Sequence, residues 1–388
     1  MNRSTSEEIE RSMKTGFIYT DAYGDFDYGP THPLKVIRLK LAYELIQAYG
    51  LLNLPHVHSI QSRRADEEDL AIFHGRDYLD VLRQLNTGGF TKNLPYFGLG
   101  PGDNPIFAGL YDWSLWVTGA TLQAADYVAK EGFDIVFSIG GGLHHAQSNR
   151  ASGFCYVNDA AVAISKLAQQ GKRIAYIDID AHHGDGVQKA FYRTNRVLTI
   201  SLHESGHTLF PGTGFEEEMG EGDGEGYSVN LPMPPFTADD VYVWAFEEVV
   251  PPLIETFKPD IVFTQLGVDA FTNDPLANLH LSIFGFEKVV RRLKDLAPRW
   301  VALGGGGYEI SNVARAWALA WAVMNGVELE EVLPESYIEH SERAGVHEKR
   351  LREGFPGPSQ TQDPGVRPEV ERVVKYLNRN VFPKVHGW

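Results

Sequence analysis

Short apolar runs alternate with longer stretches of helical periodicity along most of the chain. The runs at 16–19, 135–139, 174–178, 197–202, 261–266 and 301–303 are rich in Val and Ile. They are apolar almost throughout rather than alternating, the pattern of strands covered on both faces. Between them, the segments at 34–49, 114–130, 159–170, 238–257, 284–296 and 312–324 read as helices. This alternation predicts an α/β fold, a central and mostly parallel sheet flanked by helices on both faces. No internal repeat or break interrupts it, so a single domain is expected over 15–328, after a loose polar tail at 1–14. Beyond 328 the pattern changes. Gly and Pro crowd residues 353–369, which predicts an irregular connection. Val370, Val373, Val374 and Leu377 then share one helix face. The extension at 329–388 is therefore expected to end in a helix that docks on the body or serves an oligomer contact.

Composition narrows the possibilities. An apolar content of 43% over 388 residues supports a sizeable core. The formal net charge of −16 disfavours general nucleic-acid binding, which needs a basic surface, and suits a cationic polypeptide partner or simply solubility. No run has the length of a membrane helix, and the N-terminus lacks the apolar centre of a signal peptide. A cytoplasmic location without membrane association is expected. A single cysteine, Cys155, excludes an internal disulfide and a multi-thiolate zinc site. Any metal must be held by His and carboxylate.

The polar chemistry gathers where the apolar runs end. GGGLHH occupies 140–145 and DIDAHHGD occupies 178–185, each directly after a β-branched run. Ligands of open α/β sheets collect at the carboxyl ends of strands. In an extended chain Asp178, Asp180 and His182 point to one side. Asp269, after the run at 261–266, completes an Asp-His-Asp set with Asp180 and His182, unless it serves a turn or cap. Three protein ligands with an open position is the pattern of a catalytic zinc. His144 and His145 each need a partner to fix the tautomer, and Asp178 and Asp185 are available. Such His-Asp pairs can act as general base and acid. Tyr308 follows four glycines; its hydroxyl either donates to an oxyanion or merely packs at a helix start.

Over about residues 15–325 the chain resembles the histone deacetylase superfamily, most of all its bacterial and archaeal acetoin-utilisation deacetylases and its class I enzymes. The resemblance rests on GGLHHA (141–146), GFCYVND (153–159), DIDAHHGDG (178–186), FPGTG (210–214), GVD (267–269) and GGGGY (304–308), all in family order. It implies the arginase/deacetylase-like fold and a zinc-dependent amide hydrolase acting on N6-acetyl-lysine in proteins or peptides. Zn2+ would be held by Asp180, His182 and Asp269. His145 would be the general base beside His144, with Asp178 pairing with His144 and Asp185 with His145. Tyr308 would hold the acetyl carbonyl. Gly153, Phe154 and Phe210 would form the acetyl-lysine tunnel, with Asp103 and Leu276 at its rim. One or two structural K+ ions are also implied. The first would sit at Asp178, Asp180, His182, Ser201 and Leu202, the second at Phe191, Thr194, Val197 and Tyr227.

Other readings of the same residues differ in the substrate or in the metal. A deacetylase of small acetylated amines, such as acetylpolyamines, shares the metal site and differs at the rim. There the apolar Leu276, together with Tyr308, favours acetyl-lysine. A two-manganese ureohydrolase needs further bridging carboxylates. A nucleotide-binding or catalytically silent protein is disfavoured, because the glycine runs lack the spaced fingerprint of a nucleotide loop. Iron(II) and cobalt suit the same donors as zinc. The substrate's identity and the oligomeric state are left open.

Overall fold

The computed structural model describes residues 13–385, so most of the expected tail at 1–14 lies outside the described residues. The Lys14 backbone N–H already donates to Asp134 at 2.8 Å. Eight strands form one sheet: β1 (Thr15–Tyr19), β2 (Val57–Gln61), β3 (Ile135–Ser138), β4 (Ile174–Asp178), β5 (Val197–Glu204), β6 (Ser228–Met233), β7 (Ile261–Gln265) and β8 (Trp300–Leu303). Their order is β2-β1-β3-β8-β7-β4-β5-β6. Every pairing is parallel, where a mostly parallel sheet was expected.

Helices cover both faces. Ile37–Ala48, Ile310–Met324, Ile283–Leu296, Asp239–Phe257 and Val366–Asn380 pack successively in one layer, while Arg76–Asn86, Leu110–Lys130, Asp159–Gln169 and Asp185–Phe191 pack in the other. The central strands are buried on both sides, which explains why they are apolar up to the polar residues that close β3, β4 and β7. Helix Ile310–Met324 is apolar all round from Ala316 onward for a similar reason: neighbouring helices flank it, and every residue from Ser311 to Met324 is buried.

Strands β2 and β6 escaped the sequence pattern. Both are edge strands. β2 is VHSIQ and largely open to solvent, so no continuous apolar run marks it. β6 contains Pro232, a residue that sheets tolerate at an edge. Helix Val366–Asn380 covers β6 and buries Val370, Val373, Val374 and Leu377. Helix Arg76–Asn86 was also missed, although Tyr78, Leu79, Leu82 and Leu85 carry a helical spacing into the core.

Strands β3, β8, β7 and β4 are consecutive neighbours. The polar segments that follow them therefore open on one rim.

Candidate metal centre and active site

The rim is built from buried polar groups whose outward-facing atoms are already engaged. Asp180 Oδ2 accepts from Gln265 Nε2 at 2.6 Å and from the Gly306 N–H at 2.8 Å. Asp269 Oδ1 accepts from the Ala181 N–H at 2.8 Å. The remaining oxygens turn to His182 Nδ1, with Asp180 Oδ1 at 3.0 Å and Asp269 Oδ2 at 3.1 Å. One nitrogen and two carboxylate oxygens, all within 4.8 Å of one another, thus face a common point. The residues are buried, and two carboxylates cannot be held there without a cation. Nitrogen and oxygen donors of this kind, three in number, fit a zinc-type ion with a position left open.

Titration reflects the same crowding. Burial and the neighbouring Asp180 charge push the Asp269 carboxyl up to about 7. His182 is also raised, because its two carboxylate partners outweigh its burial. A proton thus occupies the cluster in the absence of a metal. Gly306 is required here, since a Cβ would lie 2.1 Å from Asp269 Oδ2.

The two histidines form a graded pair. His144 Nδ1 bonds Asp178 Oδ2 at 2.8 Å, and Tyr176 donates to the same oxygen at 2.7 Å. His145 Nδ1 bonds Asp185 Oδ1 at 2.7 Å, and Gln147 donates to Asp185 Oδ2 at 2.9 Å. Their Nε2 atoms lie 3.0 Å apart. Burial lowers both imidazoles. For His144 the charges of Asp178 and Asp180 more than compensate and raise it to about 9. For His145 burial and the positive His144 leave it at about 4 despite Asp185. At neutral pH a charged His144 faces a neutral His145. The turn that presents them is fixed by Asp159, whose carboxylate accepts from the Gly142 and Leu143 N–H groups.

Tyr308 completes the ring of groups. Its backbone N–H donates to Asp274 Oδ2 at 2.7 Å. Its own hydroxyl has no protein hydrogen-bond partner among the described residues. Burial and the charges of Asp269 and Asp180 hold that hydroxyl protonated. A cavity of about 210 Å3 leads to these groups, lined by Asp103, Gly153, Phe154, Leu209, Phe210 and Leu276 together with His145, His182 and Tyr308. The Phe154 ring meets Tyr308 edge-on at 5.6 Å, and the Phe210 ring meets His145 at 5.1 Å. Phe154 sits at φ 68°, a left-handed conformation strained for a bulky residue. Cys155 is buried beside it and donates to the Gly153 carbonyl.

Gly153 is the tightest point of this wall. It adopts φ +49°, and a Cβ there would meet His145 Cδ2 at 2.3 Å and Phe210 at 3.0 Å. Gly153→Ala should therefore displace the imidazole and narrow the channel. We expect a loss of about 1–2 kcal/mol of stability from the left-handed backbone and at least a tenfold fall in kcat/KM. Thermal melts beside steady-state kinetics check this. Unchanged kinetics would show that the wall yields freely.

The structure gathers the predicted tunnel, metal and His-Asp residues on one rim. The residues predicted for the two K+ sites take different places. Asp178 and Ser201 are register partners on β4 and β5, with Leu202 next in the strand. Phe191 ends helix Asp185–Phe191, Val197 opens β5, and the Tyr227 carbonyl accepts from the Thr199 N–H. Sequence reasoning missed Gln265, Asp159, Asp274 and Arg38. A buried glutamine closing β7, after Ile261, Val262 and Phe263, was a readable signal. Arg38 is buried behind Tyr308 and donates to the Gly307 carbonyl at 2.9 Å, a contact 269 positions away that no local pattern announces.

Fold and site together present an enclosed channel that ends on an Asp-His-Asp set able to hold a metal ion. Residues 32–324 match the histone deacetylase domain family. The chain is 38% identical to the acetoin utilization protein AcuC of Bacillus subtilis over 330 residues, spanning 83% of this chain and 85% of that protein. It is 39% identical to histone deacetylase B of Dictyostelium discoideum over 320 residues, 82% of this chain and 75% of that one. The crystal structure of an HDAC homologue from Aquifex aeolicus superposes with a TM-score of 0.85 at 35% identity, covering 94% of this chain and 99% of that chain. An HDAC homologue complexed with SAHA gives 0.86, with the same identity and coverage. The chain belongs to the histone deacetylase family as an AcuC-like, deacetylase-type hydrolase. No described helix is long and apolar enough to cross a membrane.

Proposed function

We propose that the protein hydrolyses the amide of N6-acetyl-lysine in proteins or peptides, using one zinc ion held by Asp180, His182 and Asp269. The observation that carries this reading is a narrow aromatic channel ending on two unlike His-Asp pairs and an unpartnered tyrosine hydroxyl. When bound, the metal supplies Lewis acidity to the acetyl carbonyl and to a water. Phe154 and Phe210 grip the neutral four-carbon stem. Neutral His145 accepts the proton of the attacking water at its imidazole, with Asp185 orienting the ring. Charged His144, held by Asp178, stabilises the negative charge that develops. The Tyr308 hydroxyl donates to the carbonyl oxygen as it becomes an oxyanion. Collapse with protonation of the amine releases acetate and lysine. Asp103 is exposed at the mouth, placed to accept hydrogen bonds from the substrate backbone. We also assign structural K+ to the two residue sets at the ends of β4 and β5.

Turnover of an acetyl-lysine peptide by the zinc-loaded enzyme, compared with an acetylpolyamine, tests the substrate class. Peptide turnover is expected to exceed polyamine turnover, because the mouth offers the apolar Leu276 rather than a second carboxylate. The reverse order would move the assignment to small acetylated amines.

A further inference from the structure

A second cavity, a groove of about 740 Å3, adjoins the channel and shares Phe210 with its mouth. Its lining departs from the acidity of the molecule, with three basic side chains against two carboxylates. The chain carries −16 overall, yet Arg150, Lys189 and Arg193 all face this one groove. Arg150 and Lys189 are exposed and have no ion-pair partner among the described residues. Arg193 meets Glu221 at 2.9 Å, an exposed pair of little strength. The groove's two carboxylates are turned inward instead. Asp185 is taken by His145 and Gln147. Glu218 accepts from Gln188 Nε2 at 2.7 Å and from the Gly214 and Phe215 N–H groups at 2.9 and 3.1 Å. The oxygens of Asp185 and Glu218 are all held by internal donors, while Arg150 and Lys189 remain unclaimed. Solubility does not explain local positive charge on an acidic protein.

We propose that this groove receives the polypeptide flanking the acetyl-lysine and selects an acidic side chain there. The inference rests on the deacetylase reading above and adds a substrate preference to it. A chain leaving the channel at Phe210 enters the groove directly, and an Asp or Glu within about three residues, ~10 Å of extended chain, reaches the free cations. Charges at such a rim tune encounter and selection more than chemistry.

The test uses the zinc-loaded full chain and fluorescent acetyl-lysine peptides that differ only in Glu, Gln or Lys at one to three positions on either side. We expect kcat/KM for the Glu peptide to exceed that of the Gln peptide by about 3- to 10-fold on one side, with Kd from anisotropy following the same order. The preference should shrink with added salt. It should fall to near one in Arg150→Gln and reverse in Lys189→Glu. Both substitutions lie on the exposed surface, and Lys189→Gln serves as a milder control. Turnover of all peptides without charge preference, or a preference untouched by these substitutions, overturns the groove assignment and leaves the deacetylase reading standing. Turnover of acetylpolyamine alone overturns both.

Discussion

Tyr308→Phe should lower kcat on an acetyl-lysine substrate by about 10²- to 10³-fold, the usual cost of deleting one oxyanion donor. KM should change little, because the channel walls Phe154 and Phe210 are untouched. The physical basis is the state of the hydroxyl in the resting site. It is half-buried at the end of the channel and held protonated by desolvation and two nearby carboxylates, and no protein atom among the described residues competes for it. A donor in that state is spent only when negative charge appears opposite it. The ring of the variant keeps its edge-on contact with Phe154, so folding and metal content should match wild type. Measured kcat, KM and bound zinc decide the matter. A loss smaller than fivefold would mean that Tyr308 only packs, the alternative its glycine-rich setting left open.

Asp269→Ala should abolish stoichiometric zinc and cut activity by about a thousandfold or more, since a Lewis acid supplies several kcal/mol at about 1.4 kcal/mol per decade of rate. The same cluster makes wild-type metal uptake pH-dependent. Asp269 holds its proton up to about 7, and His182 is raised as well. Both must release protons to bind a metal. Apparent zinc affinity should therefore rise as pH climbs from about 5 to 8, with protons released on binding. Calorimetry in buffers of different ionisation enthalpy measures that release. Affinity independent of pH over this range would contradict the proposed ligand set, whereas zinc retained by Asp269→Ala would remove that residue from it.

Much of this architecture can be read locally. The core strands announce themselves because strands buried on both faces are apolar along most of their length, as in IVFS and IVFTQ before their polar C-terminal residues. The edge strands do not, because VHSIQ faces water and SVNLPM depends on a helix 133 or more positions later in the chain to cover it. Helix ends shifted by four residues or fewer, as from the expected 114 to Leu110. Ile310, for example, starts its helix two residues before the apolar pattern suggested, capped by the Glu309 side chain.

The residues of the site follow a similar division. Asp180, His182, His144 and His145 were legible because costly polar groups at the ends of buried strands need a ligand or a partner. Their motifs also placed Asp269 and Tyr308. What the sequence by itself determined was therefore the fold class and the chemical inventory, because periodicity and residue type act over a few neighbours. Only the tertiary structure decided how that inventory works. The strand order brings β3, β8, β7 and β4 side by side. Gln265 and Gly306 claim the outer oxygen of Asp180 and leave the inner one facing His182. Burial and the surrounding charges together set His144 and His145, adjacent in sequence, near 9 and 4. The free cations of the groove, Arg150 and Lys189, acquire meaning only beside Phe210. Solvation and Coulomb interactions depend on what surrounds a group in space, and those surroundings come from segments far apart in the chain.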